Sequence, residues 1–175
     1  TAGLGAGWLT DRIPEFLELY PDINLQLIFS NEELDLGTRE ADCAIRLSQP
    51  VQPDLIQRRL FTVHFHIYAA KTYIDRHGAP GSLEEIASHR IVTFGEPVPA
   101  YLRDVNWLQG QVATGGAGVD GPHVLQINDL RSIRRAMAAG AGIAALPDYL
   151  IQDETDMVRL LPETDMPSFD TFFCY

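Results

Sequence analysis

Three places in this sequence gather side chains of a chemically useful kind. The first is His64, His66 and Tyr68. In an extended chain residues two apart share a face, so both imidazoles and the phenol point the same way. Two imidazoles on one face begin a zinc site, but zinc takes three or four ligands. No third ligand is evident, and the expectation is polar-face histidines with no metal. The second is GLGAG at 3–7, a glycine-rich turn ahead of a helix, where outward-pointing N–H groups suit an anion. It lacks the GxGxxG spacing and the lysine of a phosphate loop, so no cofactor is expected. The third is the pair Cys43 and Cys174, read either as two buried thiols packing as small apolar side chains or as a redox pair. Nothing around them signals a lowered thiol pKa. No Ser/His/Asp or Cys/His set occurs, and GGAG at 115–118 reads as a flexible turn. An enzyme is therefore not expected.

The elements that hold these residues follow from periodicity. Residues 128–150, NDLRSIRRAMAAGAGIAALPDYL, read as a helix, a tight stop and a buried strand. Asn128 or Asp129 caps the helix. Leu130, Ile133 and Met137 give it an apolar face, and Gly140 and Gly142 permit the left-handed turn that ends it. Residues 143–146 form an apolar run suited to a strand covered on both faces, and Pro147 stops the ladder for want of an N–H. Ligands of such sheets sit beyond the carboxyl ends of strands, here near Leu146 and Pro147. Upstream, residues 1–7 read as a loop, 8–20 as a helix striped by Leu9, Ile13, Phe16 and Leu17, and 23–29 as a strand. A short acidic helix is expected at 32–39 and a strand at 41–47. Strands separated by helices predict a parallel sheet. The extended run at 55–69 is far longer than the usual strand of about 5–6 residues, so it is expected to pass from one sheet to another near 61–63. Short helices are expected at 72–77 and 83–88, and strands at 91–94, 123–127, 157–161 and 169–175. Residues 96–121 show weak periodicity apart from Asn106-Trp107-Leu108.

Composition narrows the classes. The chain has 175 residues, 46% apolar and 21% charged, an ordinary globular balance. No run approaches the ~18 apolar residues of a membrane span. A net charge of −11 opposes direct binding to nucleic acid, because phosphate contacts need clustered Lys and Arg. Two distant cysteines do not make a disulfide scaffold, which points to a reducing, cytoplasmic setting. Thr1 is not an initiator Met, so further sequence upstream is expected.

These stretches, in this order, resemble the effector-binding domain of LysR-type transcriptional regulators. The matching segments are WLTDRIPEFLELYPDINLQL at 8–27, LDLGTREADCAIRL at 34–47, LIQRRLFTVHFHIYAAKTYIDRHGAP at 55–80, SLEEIASHRIVTF at 82–94 and GAGIAALPDYL at 140–150. The resemblance covers most of the chain. SFDTFFCY at 168–175 and NWL at 106–108 are similar to a subgroup of alpha-proteobacterial stress and virulence regulators. The resemblance implies an α/β type-II periplasmic-binding-protein fold with two Rossmann-like lobes and hinge crossovers. One lobe would hold residues 1–61 with 162–175, the other 62–161, with an effector cleft between them. The family's N-terminal winged helix-turn-helix, its linker helix, most of its first effector-domain strand and its C-terminal helix have no counterpart here.

The resemblance also implies the site. The effector contacts expected from it are Thr1, Gly3, Leu4, Ser30, Asn31, Arg46, Thr93, Phe94, Asn128 and Pro147. Arg46 has two readings, a guanidinium fork for a ligand carboxylate or a structural ion pair of the hinge. Helix starts after Gly7 and at Asn128 would favour an anionic or carbonyl-bearing small molecule. The expected partners are that effector, a second copy of the chain packed helix 8–20 against helix 129–139, and DNA only through the missing N-terminal domain. In the resembling fold the last strand lies beside the strand at 41–47, which makes Cys43 and Cys174 neighbours. Two alternatives stand beside the sensor reading: a thiol-based redox regulator using that pair, and a periplasmic solute-binding protein.

Overall fold

The helix expected at 8–20 starts earlier and is built of four pieces. The computed structural model describes residues 2–30, 36, 40–49, 55–98, 100–114, 123–152 and 154–175. They divide into two units, Thr1–Thr62 with Phe169–Tyr175, and Val63–Ser168. In the first unit α1, Ala2–Leu4, runs into a π-helical turn at Gly5–Leu9, a 3-10 turn at Thr10–Arg12 and then α2, Ile13–Leu19. The loop expected at 1–7 is thus helical from Ala2 onward. Packing overrides the flexibility of glycine there. Leu4 is buried, and a Cβ on Gly5 would stand 2.5 Å from the Phe29 ring, so only glycine lets that ring approach. The Thr10 hydroxyl donates to the Gly5 carbonyl at 2.9 Å, and the Arg12 guanidinium lies over the Trp8 ring.

The strand expected at 23–29 does not form. A strand needs a neighbour for its N–H and C=O groups, and among the described residues none pairs with this segment. Ile23, Leu25, Leu27, Ile28 and Phe29 are all left exposed. The acidic helix expected at 32–39 lies outside the described residues apart from Leu36, which is buried. Strand β1, Ala44–Arg46, is shorter than expected and pairs antiparallel with the last strand, β7, Ser168–Cys174. The parallel sheet expected for this part of the chain is therefore corrected.

Strand β2, Gln57–Ala70, is the long extended run expected at 55–69. Its first residues lie beside β7. The Thr171 hydroxyl donates to the Phe61 carbonyl at 2.6 Å and accepts from the Phe61 N–H at 3.1 Å, which satisfies a fully buried side chain. Nearby, Arg59 and Thr62 both donate to Asp170 Oδ1, at 2.8 and 2.6 Å.

In the second unit the rest of β2 is central. It pairs antiparallel with β5, Ile143–Pro147, on one side and with β6, Met157–Leu160, on the other. Strand β3, Ile91–Phe94, lies parallel to both β5 and β4, Val124–Ile127. The sheet is mixed. Every residue of β3 and β5 is buried, as a strand covered on both faces requires. One cluster joins Ile67, Ala69, Ile91 and Ile143 to Tyr73 of α3, Lys71–His77, to Ile86, and to Leu108 and Val112 of α4, Trp107–Thr114. The stretch of weak periodicity, 96–121, carries α4, which begins within the excepted Asn106-Trp107-Leu108, and a 3-10 run at Ala100–Asn106. Helix α5, Leu130–Ala138, buries Leu130, Ile133 and Met137, the three residues read from the sequence. Gly140, at φ 79°, makes the left-handed stop, and the Ala141 N–H closes back on the Ala136 carbonyl at 3.0 Å. Gly142 serves close packing instead, since a Cβ there would sit 2.4 Å from the Arg90 carbonyl oxygen.

The Asp170 network sets a pH dependence. Its hydrogen bonds, Arg59 first and Thr62 second, lower the carboxyl from its ordinary 3.8 to about 2. A lowered folded-state pKa contributes stability above the ordinary value, and this is lost as pH falls from 3.8 toward 2. NMR titration of the Asp170 carboxyl is expected to show a midpoint near 2 in the native chain, moving up in Thr62→Val and Arg59→Ala. A native midpoint at the ordinary value would mean that the network does not form in solution.

Candidate functional site

Three parallel strands, β4, β3 and β5, point their carboxyl ends the same way, so Phe94, Ile127 and Pro147 finish along one edge of the second unit. This edge is built from polar groups that take up the backbone where the ladder ends. Asn106 acts on both sides of Phe94: its Oδ1 accepts from the Phe94 N–H at 2.9 Å and its Nδ2 donates to the Phe94 carbonyl at 2.8 Å. The side chain thereby imitates one more strand residue. The Gly95 N–H donates to the Ile127 carbonyl at 3.1 Å, which holds β3 to β4 past the last paired residue.

Helix α5 starts at the same edge. Its cap is Asp129, not Asn128. Asp129 Oδ2 accepts from the Ser132 N–H at 2.8 Å and the Ser132 hydroxyl at 2.6 Å, while Asn128 is exposed. The helix dipole places partial positive charge at this end. Arg131 and Arg135 are exposed on the outer face, and Arg134 pairs with Glu154.

Thr93 stands out chemically. It is 6% exposed, and its Oγ1 is buried without a hydrogen-bond partner among the described residues. Such a group costs free energy unless something pairs with it. It borders a void of about 10 Å³ shared with Phe94, Asn106, Leu130 and Ile133. By this measure a cavity of roughly 10–15 Å³ holds one water, so the void has room for about one water and none for a metabolite.

Beyond Pro147 the chain turns into a 3-10 segment, Asp148–Leu150. Asp148 Oδ1 takes two bonds, from His66 Nδ1 at 2.6 Å and from the Tyr68 hydroxyl at 2.9 Å. Burial first, and the Asp148 bond second, push the Tyr68 phenol well above its ordinary value, so it stays a donor. The shared face of His66 and Tyr68 was legible at i, i+2. Asp148, 80 residues from Tyr68, was not. Asn106 was also missed, although it opens the NWL stretch. Its only advance signal was a polar residue before the apolar positions of α4.

In the first unit the expected contacts are placed differently. Thr1 and Asn31 lie outside the described residues. Gly3 and Leu4 are buried within the helical run, so Leu4 packs as a core side chain. The helix start expected after Gly7 is corrected, since helical structure already spans that residue. Ser30 is half-buried, and Arg46 is buried on β1 opposite Phe172. Strands β1 and β7 are neighbours, with Ala44 opposite Cys174. Cys43 is therefore one register position away. Cys43 precedes β1 and is exposed, whereas Cys174 is buried, and no disulfide joins them. Burial first, and Asp42 second, raise the Cys43 thiol, which opposes thiolate reactivity. The redox alternative is not favoured.

Comparison with known proteins agrees with this architecture. The family model described as LysR substrate binding domain matches residues 1–175. The HTH-type transcriptional regulator CrgA of Neisseria meningitidis serogroup C is 31% identical over 148 residues, covering 85% of this chain and 48% of CrgA. An HTH-type transcriptional regulator of Xanthomonas campestris is 27% identical over 160 residues, covering 89% and 46%. The chain spans about half the length of the curated relatives it matches. The structure of the CrgA regulatory domain superposes with a TM-score of 0.79 at 28% identity, over 99% of this chain and 84% of that one. Full-length AphB of Vibrio cholerae, a virulence activator, shares the fold with a TM-score of 0.75 at 23% identity, over 99% and 58%.

The start of α5 yields a test that does not depend on kinship. Asp129→Ala is expected to lower stability by about 1 kcal/mol through the lost cap. Asn128→Ala, which removes no cap, is expected to change it by less than about 0.5 kcal/mol. Urea denaturation of the two variants checks this, and equal losses would move the cap to Asn128.

Proposed function

Because the chain belongs to the LysR substrate-binding domain family, we propose that it is the effector-sensing part of a longer transcriptional regulator. The fold is α/β, of the type-II periplasmic-binding-protein kind. The observation that carries the reading is the aligned carboxyl edge of β4, β3 and β5. There the buried, unpartnered Thr93 hydroxyl lies beside the start of α5. Ligands of open α/β sheets bind outside such edges. The helix dipole favours an anionic or carbonyl-bearing molecule, and the net charge of −11 opposes one only at long range, because salt screens beyond about 8 Å. Thr93, Phe94, Asn128 and Pro147 are the proposed contacts in this unit. The ligand acts by binding one conformation better than another, which requires no catalysis. The protein works in the cytoplasm as a non-enzymatic sensor. A periplasmic solute-binding role is not favoured, since the relatives described above are transcriptional regulators.

The test is thermal shift of the 175-residue chain against a panel of small carboxylates and amino acids. At least one is expected to raise Tm, by the equivalent of about 2.7 kcal/mol at a hundredfold excess over Kd. Thr93→Ala and Asn128→Ala, checked for folding by circular dichroism, are expected to weaken that ligand about tenfold or more. Equal shifts in all three proteins would refute the site.

The second proposed partner is another copy of this chain. Leu17 and Leu19 of α2, and the segment after it, expose apolar side chains beside the acidic Asp11, Glu15 and Glu18. The outer face of α5 carries exposed Arg131 and Arg135. A two-fold contact brings each helix against the other kind, joining apolar surface and opposite charge. DNA is met only through residues outside this sequence. Sedimentation with a labelled duplex at physiological salt is expected to show a dimer that carries no DNA. A monomer at high concentration, or DNA moving with the protein, would count against these assignments.

A further inference from the structure

We propose that His64 and His66 form a two-imidazole site for a divalent transition-metal ion, with Asp148 holding His66 from behind. His64, His66 and Asp148 all lie within the second unit, and the site does not depend on the effector reading. Strand β2 is extended over Gln57–Ala70, so His64, His66 and Tyr68 follow one another on a single face. The rings of His66 and Tyr68 are 6.4 Å apart, close to the two-residue repeat of a strand, roughly 6.6 Å. His64 stands one repeat earlier on the same face and is exposed. The two imidazoles therefore occupy successive positions on one strand face, with His64 exposed and His66 half-buried.

The feature that raises this pair above surface histidines is the support of His66. Its Nδ1 is 2.6 Å from Asp148 Oδ1. The Tyr68 hydroxyl donates to the same oxygen and holds the carboxylate in place. In the neutral imidazole, donation from Nδ1 to the carboxylate leaves the lone pair on Nε2. Metal-binding histidines characteristically donate their second N–H to a carboxylate in this way, which fixes the tautomer and ring orientation and makes the ligating nitrogen more basic. Here Asp148 provides that support before any ion arrives.

The ion class follows from the donors. Imidazole suits zinc, nickel and copper, whereas calcium and magnesium take oxygen ligands. Among the described residues no group of three or more His, Cys, Asp or Glu side chains is placed to hold an ion, so the remaining positions fall to water. That is an open, exchangeable site and not a structural one.

The probe is nickel(II), with zinc(II) as the second ion, titrated calorimetrically into the 175-residue chain in a non-coordinating buffer. One saturable site is expected. His64→Ala and His66→Ala are each expected to weaken it at least tenfold. Asp148→Asn, which keeps the shape and loses the charge, is expected to weaken it about tenfold, the low end of what loss of such support costs. His123→Ala, on an exposed residue at the start of β4, is expected to leave it unchanged. His64 is exposed, so its variant keeps the fold, and circular dichroism verifies the others. Absence of saturable binding, binding that survives both His64→Ala and His66→Ala, or equal loss in His123→Ala would overturn the proposal.

Discussion

The second unit depends on the register that holds β3 between β4 and β5. Ile91 pairs with Val124 on one side and with Ile143 on the other, and Val92 with Leu125 and Ala144. Because both pairings are parallel, all three strands end on the same edge. One slip would exchange the residues on the two faces of β3. Both faces are buried, so each side chain would meet packing shaped for its neighbour. The register in turn fixes the backbone groups left over at the edge. Asn106 takes those of Phe94, and Asp129 takes two donors of Ser132 in the first turn of α5. The polar edge is thus a consequence of the apolar core.

The parts legible in the sequence were those whose local signals agreed with their surroundings. Helix α5 combined an N-cap, a full apolar stripe and a glycine stop, and then fed a strand of uniform hydrophobicity. The long extended run of β2 was equally legible, because no helix period fits it. The parts that were not legible failed for identifiable reasons. Glycines at 3, 5 and 7 argued for a loop, but the ring of Phe29, more than twenty residues on, needs the space that Gly5 leaves. The alternation at 23–29 is real, yet alternation specifies a strand only when a partner exists. At 100–114 the apolar residues Leu102, Val105, Leu108 and Val112 recur at helical spacing and are all buried. The surrounding Gly and Pro masked that stripe.

The candidate site divides along the same line. Thr93, Phe94, Asn128 and Pro147 sit at the strand ends because such ends follow from strand order, which periodicity reveals. Leu4 and Arg46 are buried, and only packing decides which way a side chain turns. The two cysteines show the limit most clearly. The strands were correctly expected to be neighbours, but the register sets Ala44 and not Cys43 opposite Cys174, and leaves one thiol exposed and the other buried.

The polar groups at the edge also differ in how they are satisfied, and the difference is informative. Asn106, Asp129 and Asp148 each make two hydrogen bonds, and each draws its partners from one short stretch of backbone or one strand face. Each is held in place by these bonds, although an amide oxygen and an amide NH2 can each make one more. Thr93 Oγ1, by contrast, is buried without a partner among the described residues. In the interior of a sheet a threonine whose hydroxyl served only shape would be better replaced by valine, which has nearly the same outline and no desolvation cost. The Thr93 hydroxyl keeps hydrogen-bonding capacity, open to a water or another polar group, near the edge where three strands end. The cost of that open hydroxyl falls on the stability of this unit.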